Sequence, residues 1–508
     1  MKIYECSPMY ATMAFVLFGT MIAPCPASGG TPASVPPNVI LLMADDLGWG
    51  DVAYNNNEVV QTPHLDALAR EGLRFDRFYA ASVCSPAQAS CLTGRAGARM
   101  NMPWSTTTGQ LPLQEVTIAE ALKLRGYTTG HFGKWHVGQL SKTQVDSYLD
   151  IPIEPRRYSP PWESGFDKCF SGIFLPLFNP YYLTCGKYGS DDYTMVMNRP
   201  VARGQRTGGF VWASRLWTGP GQMVDEWLEG PLPEILMDRT LGFIREARTA
   251  DRPFLACVWF LTPHTPVVAG PRHRALYPSR SIEEQHWFGS ISAMDEQIGR
   301  LRHALHTMGL AENTVVWFCS DNGPTWVHDL NSAGPFRGKK GSLWEGGIRV
   351  PASLVWPARF KNPRVVDASV STNDFLPTIL SWAGQDIPHD RVLDGMDATP
   401  ILDGEERNRS RPLGFVSPVM RSQAQDTKAW KQIGGQQMAW IDGSLKLISF
   451  DEGQKWQLYD LTQDPSESHD IADEKPEVVA KMKSSLIKWV ESCHQSAAGH
   501  DYQERDTR

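Results

Sequence analysis

Two acidic segments of the chain carry the side chains that a hard cation prefers. Adjacent carboxylates stand at Asp45 and Asp46, and an acid is followed by an amide at Asp321 and Asn322. Carboxylate and amide oxygens are the usual ligands of such cations. Either pair alone could instead cap a helix or close a turn. No His or Cys pairs at zinc-ligand spacing occur in the sequence, so the two pairs together favour a hard-cation site over a zinc site.

Cys84 is a candidate nucleophile. It precedes the turn-forming pair Ser85 and Pro86, and residues 87–92 can begin a helix. The start of a helix supplies backbone N–H groups and partial positive charge, which suit an anionic reacting centre. A lone cysteine is otherwise most often a buried, inert thiol. The second thiol of this segment, Cys91, is expected to pack within the helix rather than to react.

Two lysines and two histidines suit anion binding and proton transfer. Lys134 and His136 lie two residues apart, so in an extended segment both side chains point to the same side. His264 follows an apolar run, and Lys340 lies in a glycine-rich loop. A lysine attracts anions, and an imidazole can take or give a proton near neutral pH. Taken alone, each residue would more often be a surface lysine or a histidine at the edge of the core.

The elements that position these residues are predicted from apolar periodicity. Three runs have the length and composition of buried strands, at 38–43, 254–261 and 314–319. Helical patterns lie between them, at 62–71, 117–124 and 290–308. The alternation predicts an α/β fold with a parallel sheet. Asp45, His264 and Asp321 follow the three runs, and ligands of open α/β sheets bind at the carboxyl ends of strands.

The composition changes twice along the 508 residues. Residues 155–232 are rich in Pro, Gly, Trp and Tyr and have little periodicity, which predicts a functional insertion that walls a substrate site. After about residue 389 the strand-like runs shorten, and a helical pattern follows at 476–493. We therefore expect a catalytic α/β domain at 36–388, which contains the insertion, and a smaller α+β domain with a short antiparallel sheet at 389–508.

The N-terminus has the layout of a secretory signal peptide. Lys2 precedes an apolar run at 13–22, and small residues follow up to residue 28. The run is shorter than the roughly 20 apolar residues of a membrane-spanning helix. We expect a signal peptide at 1–28, a secreted or periplasmic protein and no membrane span. The net charge of −7 is spread along the chain without a basic stripe, which argues against a nucleic-acid partner.

The segment from Cys84 to Arg95 resembles the signature of the type I sulfatases, in which Cys-x-Pro-x-Arg is followed by Thr-Gly-Arg. Cys84, Pro86 and the run 93–95 match this pattern, and further similar motifs follow in the family's order as far as about residue 467. The resemblance implies an alkaline-phosphatase-like fold, with a large mixed, mostly parallel sheet flanked by helices. It also implies hydrolysis of an organic sulfate ester.

By matching position, the resemblance implies a role for each candidate residue. Cys84 would be converted to formylglycine by a formylglycine-generating enzyme. A calcium ion would be held by that group and by Asp45, Asp46, Asp321 and Asn322. Lys134 and Lys340 would clamp the sulfate, since cations around the sulfuryl oxygens stabilise the transition state. His264 would protonate the leaving alcohol, and His136 would take a proton from the hydrated formylglycine.

Position 88 departs from the family pattern, which has arginine where this chain has Gln88. Glutamine carries no charge, so Cys84 could be converted poorly, or Arg95 or Arg99 could supply the missing cation. Three functions are therefore open. The first is a sulfatase acting on a small sulfated molecule or glycan, most simply a sulfated carbohydrate. The second is a catalytically silent relative that binds sulfated glycans, and the third is a phosphodiester or phosphonate ester hydrolase.

Overall fold

The computed structural model describes residues 36–104, 109–143, 157–173, 216–224, 226, 228, 230–265, 267–325, 330–420 and 433–502, and the backbone of strands at 178–179, 181–185 and 195–200. The predicted signal peptide at 1–28 and part of the predicted insertion at 155–232 lie outside these residues. None of the helices in the described residues combines the length and the apolar character that crossing a membrane requires.

The strands are β1 (Asn38–Asp45), β2 (Leu73–Tyr79), β3 (Thr128–Lys134), β4 (Lys168–Gly172), β5 (Phe178–Asn179), β6 (Tyr181–Cys185), β7 (Met195–Pro200), β8 (Trp217–Gly219), β9 (Gln222–Met223), β10 (Gly230–Pro231), β11 (Phe254–Pro263), β12 (Thr314–Ser320), β13 (Arg349–Val355), β14 (Arg364–Val366), β15 (Val370–Ser371), β16 (Leu413–Met420), β17 (Ile433–Asp442), β18 (Leu445–Ser449) and β19 (Gln457–Asp460). The α-helices are α1 (Pro63–Glu71), α2 (Cys84–Thr93), α3 (Ile118–Lys123), α4 (Leu232–Thr249), α5 (Pro271–Arg274), α6 (Ile282–Thr307), α7 (Glu345–Ile348), α8 (Phe375–Trp382), α9 (Thr399–Asp403) and α10 (Pro476–Ala497). Single 3₁₀ turns lie at Ala53–Asn55, Gly97–Met100, Pro161–Glu163 and Thr372–Asp374.

One large mixed sheet runs through the described structure. Its strand order is β14-β2-β13-β12-β1-β11-β3-β4-β8-β9, and β15 also pairs with β2. The neighbours β12, β1, β11, β3 and β4 run parallel, whereas β13 runs antiparallel to both β12 and β2. The arrangement confirms the predicted mixed, mostly parallel sheet flanked by helices.

Strand β1 has an apolar side chain at every position between its two ends. Val39 and Leu41 pack on one face against α2, α3 and α8. Ile40 and Leu42 pack on the other face against α1, α4 and α6. Successive residues of a strand point to opposite faces, and here helices cover both faces. In β1, polar side chains are therefore found only at the two ends of the strand, and the site lies at its C-terminal end.

A second, four-stranded antiparallel sheet has the order β16-β17-β18-β19. Ile441 of this sheet packs in one cluster with Tyr79 of β2. The next residue along, Trp440, points to the opposite face and packs in a cluster with Leu486 of α10. This short antiparallel sheet with its helix confirms the second part of the predicted fold class.

A buried ion cluster lies where the two sheets meet. Lys446 Nζ lies 2.9 Å from Glu345 Oε1 and 2.9 Å from Glu467 Oε1, and all three side chains are fully buried. Tyr79 Oη donates a hydrogen bond to Glu345 Oε2 at 3.0 Å. Burial raises the pKa of Glu467 to about 7, although the Lys446 ammonium opposes the shift. One lysine therefore offsets much of the cost of burying two carboxyl groups.

Replacing Lys446 by methionine is expected to lower the free energy of unfolding by about 3–5 kcal/mol, because two carboxyl groups lose the cation they share. Urea unfolding followed by tryptophan fluorescence measures the loss. The triple variant Lys446→Met, Glu345→Gln, Glu467→Gln should recover part of it, since no unpaired charge stays buried. Lys455→Met, at an exposed position, is the control. A loss below about 1 kcal/mol in the single variant, the value of a surface pair, would contradict this account.

Candidate active site

Four neighbouring parallel strands bring the candidate residues together at their carboxyl ends. The strand ends are occupied by Asp45 in β1, Lys134 in β3, His264 after β11 and Asp321 after β12. The parallel register aligns these ends at one edge of the sheet. Helix α2 follows β2 and begins at Cys84. The structure thus collects residues that are far apart in the chain.

Asp46 makes the turn that lets two adjacent carboxylates face one point. In an extended chain Asp45 and Asp46 would point to opposite sides, but Asp46 has a left-handed backbone with φ of 64°. Such a conformation costs a non-glycine residue about 1–2 kcal/mol. Contacts within the site hold it, because the Asp46 amide donates to Asp321 Oδ1 at 3.2 Å and Asn322 Nδ2 donates to Asp46 Oδ1 at 2.8 Å.

Four oxygen atoms of this cluster accept no hydrogen bond from any described residue. They are Asp45 Oδ1, Asp46 Oδ2, Asp321 Oδ2 and Asn322 Oδ1. All four residues are buried, and buried polar atoms are nearly always hydrogen-bonded. Oxygens of Asp45 and Asp321 lie within 4.8 Å of each other and of Cys84 Sγ. Unpaired oxygens gathered in this way fit a hard divalent cation.

The repulsion between the carboxylates of the cluster also favours a bound divalent cation. Burial and the neighbouring Asp45 carboxylate raise the pKa of Asp321 well above its ordinary value. A bound cation would remove this repulsion between carboxylates.

Two lysines reach the acidic cluster from different elements. Lys134 Nζ lies 2.6 Å from Asp45 Oδ2, and Lys340 Nζ lies 2.5 Å from Asp46 Oδ1. Burial opposes their charge, but the carboxylates outweigh it and raise both pKa values above that of a free lysine. Both lysines are therefore protonated at neutral pH. A divalent cation added to three carboxylates and two ammonium groups leaves net positive charge, which attracts an anion.

Cys84 lies at the first position of α2, and its side chain is buried. Its Sγ lies 3.0 Å from His136 Nδ1. Burial raises the pKa of the Cys84 thiol to about 11, although Lys134 and Lys340 oppose the shift. Because the thiolate is the nucleophilic form of cysteine, the protonated thiol is a poor nucleophile at neutral pH.

The two histidines are neutral at neutral pH. Burial lowers the pKa of His264 to about 4 and that of His136 well below its ordinary value. His264 Nδ1 donates to the carbonyl of Thr265 at 2.5 Å, which turns Nε2 toward Asp46, 3.7 Å from Oδ2. That distance is too long for a good hydrogen bond. Neutral rings of this kind can accept a proton from a group bound in the site.

The expectation that Arg95 or Arg99 supplies the cation missing at position 88 is wrong. Both arginines follow the C-terminal end of α2, whereas Cys84 begins it. Arg95 pairs with Glu115 at 3.2 Å, and Arg99 pairs with Asp394 at 2.8 Å. Local sequence could not show this, since the acidic partner of Arg99 lies 295 residues further along the chain.

Sequence reasoning missed Gln437, which holds the loop of Lys340 from the C-terminal sheet. Its Nε2 donates to the carbonyls of Gly341 at 2.6 Å and Pro418 at 3.1 Å, and its Oε1 accepts from the Leu343 amide at 3.0 Å. The side chain is 3% exposed. A buried amide with partners at both ends ties the loop segment that directly follows Lys340 to the C-terminal sheet. No local motif marks such a residue, because its loop partners are distant in sequence.

Replacing Gln437 by leucine is expected to lower kcat/KM about 10- to 100-fold for the reaction that the sequence resemblance implies, because the loop loses its two hydrogen bonds to this side chain and Lys340 is no longer held in place. Steady-state kinetics measures the loss, and circular dichroism checks the fold. Gln436→Leu is the control, since the neighbouring side chain on a strand points to the opposite face. Wild-type kcat/KM in Gln437→Leu would show that the loop holds itself.

Comparison with known proteins places this geometry in a family. The Sulfatase family model matches residues 37–385, and the model of the N-sulphoglucosamine sulphohydrolase C-terminal region matches residues 338–492. Steryl-sulfatase of Mus musculus is 35% identical over 459 residues, which cover 80% of this chain and 71% of that protein. Arylsulfatase A of Homo sapiens is 31% identical over 488 residues, which cover 91% of this chain and 89% of that protein.

One solved structure has a fold similar to that of this chain. Ps i-CgsB, in complex with k-i-k-neocarrahexaose, superposes with a TM-score of 0.73 and 25% identity, covering 92% of this chain and 97% of that one. The Sulfatase model spans well over half of the chain and includes every candidate residue at the strand ends. The chain belongs to the sulfatase family and is a sulfuric ester hydrolase.

Proposed function

We propose that this sulfatase is exported and hydrolyses a sulfate ester of a carbohydrate, using a formylglycine made from Cys84 and a calcium ion. The observation that carries the proposal is the cluster of unpaired buried oxygens beside Cys84 and two protonated lysines. The match to the N-sulphoglucosamine sulphohydrolase C-terminal model supports a sugar substrate. The likeness to Ps i-CgsB, solved with k-i-k-neocarrahexaose, supports it too.

The state of Cys84 favours its conversion. Burial raises the thiol pKa to about 11, so the unmodified side chain keeps its proton and attacks poorly. Position 84 nevertheless lies at the start of a helix and beside both the acidic cluster and His136. A hydrated formylglycine supplies one hydroxyl for attack on sulfur and a second from which the aldehyde is restored. A thiol cannot supply that pair.

The acidic residues would hold the calcium ion. Asp45, Asp46, Asp321 and Asn322 each offer one oxygen that accepts no hydrogen bond from the described chain. Calcium takes about six to eight oxygen ligands in flexible geometry, so four side chains leave positions for the group at 84 and for a sulfate oxygen. When bound, the ion supplies positive charge beside the reacting sulfur.

The other side chains would bind the sulfate and move protons. Lys134 and Lys340 hold sulfate oxygens and stabilise the negative charge that develops there in the transition state. His136, 3.0 Å from the side chain at 84, takes a proton from the group at that position. His264 presents Nε2 to the site, and in its protonated form it would give that proton to the leaving oxygen, which departs as the alcohol. Overall, the S–O ester bond and one water are consumed, and an alcohol and sulfate are released.

Peptide mass spectrometry across Cys84, on protein purified from its own secretory pathway, tests the proposal first. We expect a formylglycine peptide that does not react with a thiol alkylating reagent. A panel of sulfated saccharides, an aryl sulfate and a phosphate diester then tests the substrate, with the highest kcat/KM expected on a saccharide. Unmodified cysteine throughout would favour a silent glycan-binding protein. Higher activity on the phosphate diester would favour a phosphodiester hydrolase, and activity on the aryl sulfate alone would exclude the carbohydrate substrate.

A further inference from the structure

Gln88, which stands where the sulfatase pattern has arginine, contacts the backbone of His136. Its Oε1 accepts a hydrogen bond from the His136 N–H at 3.2 Å. The Gln88 side chain is only 2% exposed. A buried amide that bonds to a backbone amide of another element restrains that element more than a surface contact would. Helix α2 is thereby joined to the segment that follows β3.

The position of Gln88 on its helix makes this contact specific. Cys84 and Gln88 are four residues apart in α2, and residues at this spacing lie on the same helical face. Cys84 Sγ lies 3.0 Å from the His136 ring, while Gln88 Oε1 meets the His136 backbone. One face of α2 therefore contacts His136 at two points, one on its ring and one on its main chain.

An arginine at position 88 could not make the same bond. A guanidinium has donors only, whereas the His136 N–H needs an acceptor. The positive charges that act on the Cys84 thiol come from Lys134 and Lys340. Arg95 and Arg99 are held by carboxylates elsewhere. The lysines thus supply charge at the site, and glutamine supplies an acceptor.

We propose that Gln88 is a positioning residue for His136, which it holds so that Nδ1 points at the side chain of residue 84. The contact is present with an unmodified cysteine, and only its kinetic consequence rests on the proposed function. The departure from the family pattern then exchanges a charged group for one that fixes the histidine. Gln88 acts through His136 and does not itself touch the reacting atoms.

Three substitutions separate this role from a general effect of burial. Gln88→Leu keeps similar volume without an acceptor, Gln88→Glu keeps the acceptor oxygen, and Gln88→Arg restores the family residue. Ser90→Ala is the matched control, because Ser90 Oγ bonds Ala87 O and Thr372 Oγ1 within and beside the same helix and does not bond His136.

Hydrogen exchange of the His136 amide, resolved by fragmentation mass spectrometry of the purified protein, is the direct measurement. We expect exchange to become at least about 10-fold faster in Gln88→Leu and Gln88→Arg, and to stay within about 3-fold in Gln88→Glu and Ser90→Ala. Unchanged exchange in Gln88→Leu would overturn the proposal, whatever the activity. This readout does not depend on conversion of Cys84.

Kinetics supplies the second measurement, normalised to the formylglycine content of each preparation. Gln88→Leu should lower kcat about 10-fold with KM within about 3-fold, and Gln88→Glu should recover most of it. Higher kcat per formylglycine in Gln88→Arg than in wild type would overturn the positioning role. Absence of formylglycine and of activity in all preparations, wild type included, would count against the proposed function alone, and the exchange result would still decide the role of Gln88.

Discussion

Cys84→Ala is expected to lower kcat for sulfate ester hydrolysis by at least about 10⁴-fold, the scale of losing the nucleophile of an enzyme. The alanine side chain leaves the lysines, the histidines and the acidic cluster in place. It removes only the group that we propose attacks sulfur. Initial rates on the best substrate of the panel measure the loss, and circular dichroism checks that the fold persists. Residual activity above about 1% of wild type would mean that another group attacks.

The control for this variant is Cys91→Ala in the same helix. Cys91 is buried, and burial raises its pKa well above the ordinary value for a thiol. It packs within the core, as predicted from the sequence. The substitution should cost stability through a small cavity and leave kcat within about 3-fold. Equal losses in the two variants would point to damage to α2 rather than to lost chemistry.

If the proposed calcium site is correct, Asp321→Asn is expected to remove calcium binding and to lower kcat/KM by about 100- to 1000-fold. The asparagine keeps the volume of the side chain, but the cluster loses one negative charge and one carboxylate oxygen. Melting temperature with and without calcium reports the binding directly. The wild type should gain about 2.7 kcal/mol at a calcium concentration 100 times Kd, whereas the variant should gain almost nothing.

The same variant should melt higher than the wild type in the presence of a chelator. Asp321 lies against Asp45 and Asp46, and their charges together with burial raise its pKa. The neutral amide relieves this repulsion, so the sign of the stability difference should reverse when calcium is added. Asp51→Asn is the control, since Asp51 is buried but accepts from Gly48 and Trp287 outside the cluster. A calcium response retained in Asp321→Asn would place the cation elsewhere.

The centre of the sheet could be predicted from the sequence because burial on both faces requires apolar runs. The predicted runs at 38–43, 254–261 and 314–319 lie within β1, β11 and β12, which extend one or two residues further toward the site. Helix α6 begins eight residues before the predicted start at 290. Its capping box of Ser281 and Glu284 was a local signal that apolar periodicity overlooks.

Features that depend on distant residues could not be predicted in this way. Strand β13 runs antiparallel between β12 and β2, and no local pattern specifies that neighbour. The left-handed backbone of Asp46 is held by Asp321 and Asn322 across 275 residues or more. The contact between Gln88 and His136 spans 48 residues. Motifs indicate which groups belong to a site, but tertiary contacts decide how each is held.

The hydrogen bond between Gln437 and the Lys340 loop also affects when the site can be completed during synthesis of the chain. Gln437 is made 96 residues after Gly341, its partner in that loop. At about 5–20 residues per second on the ribosome, the wait is of the order of 5–20 s. The parallel strands and α2 have been synthesised before that wait ends. The loop of Lys340, however, still lacks its hydrogen bonds to Gln437 of the C-terminal sheet. Translation that stops short of residue 437 would therefore release a chain able to build the acidic cluster and unable to fix its second lysine.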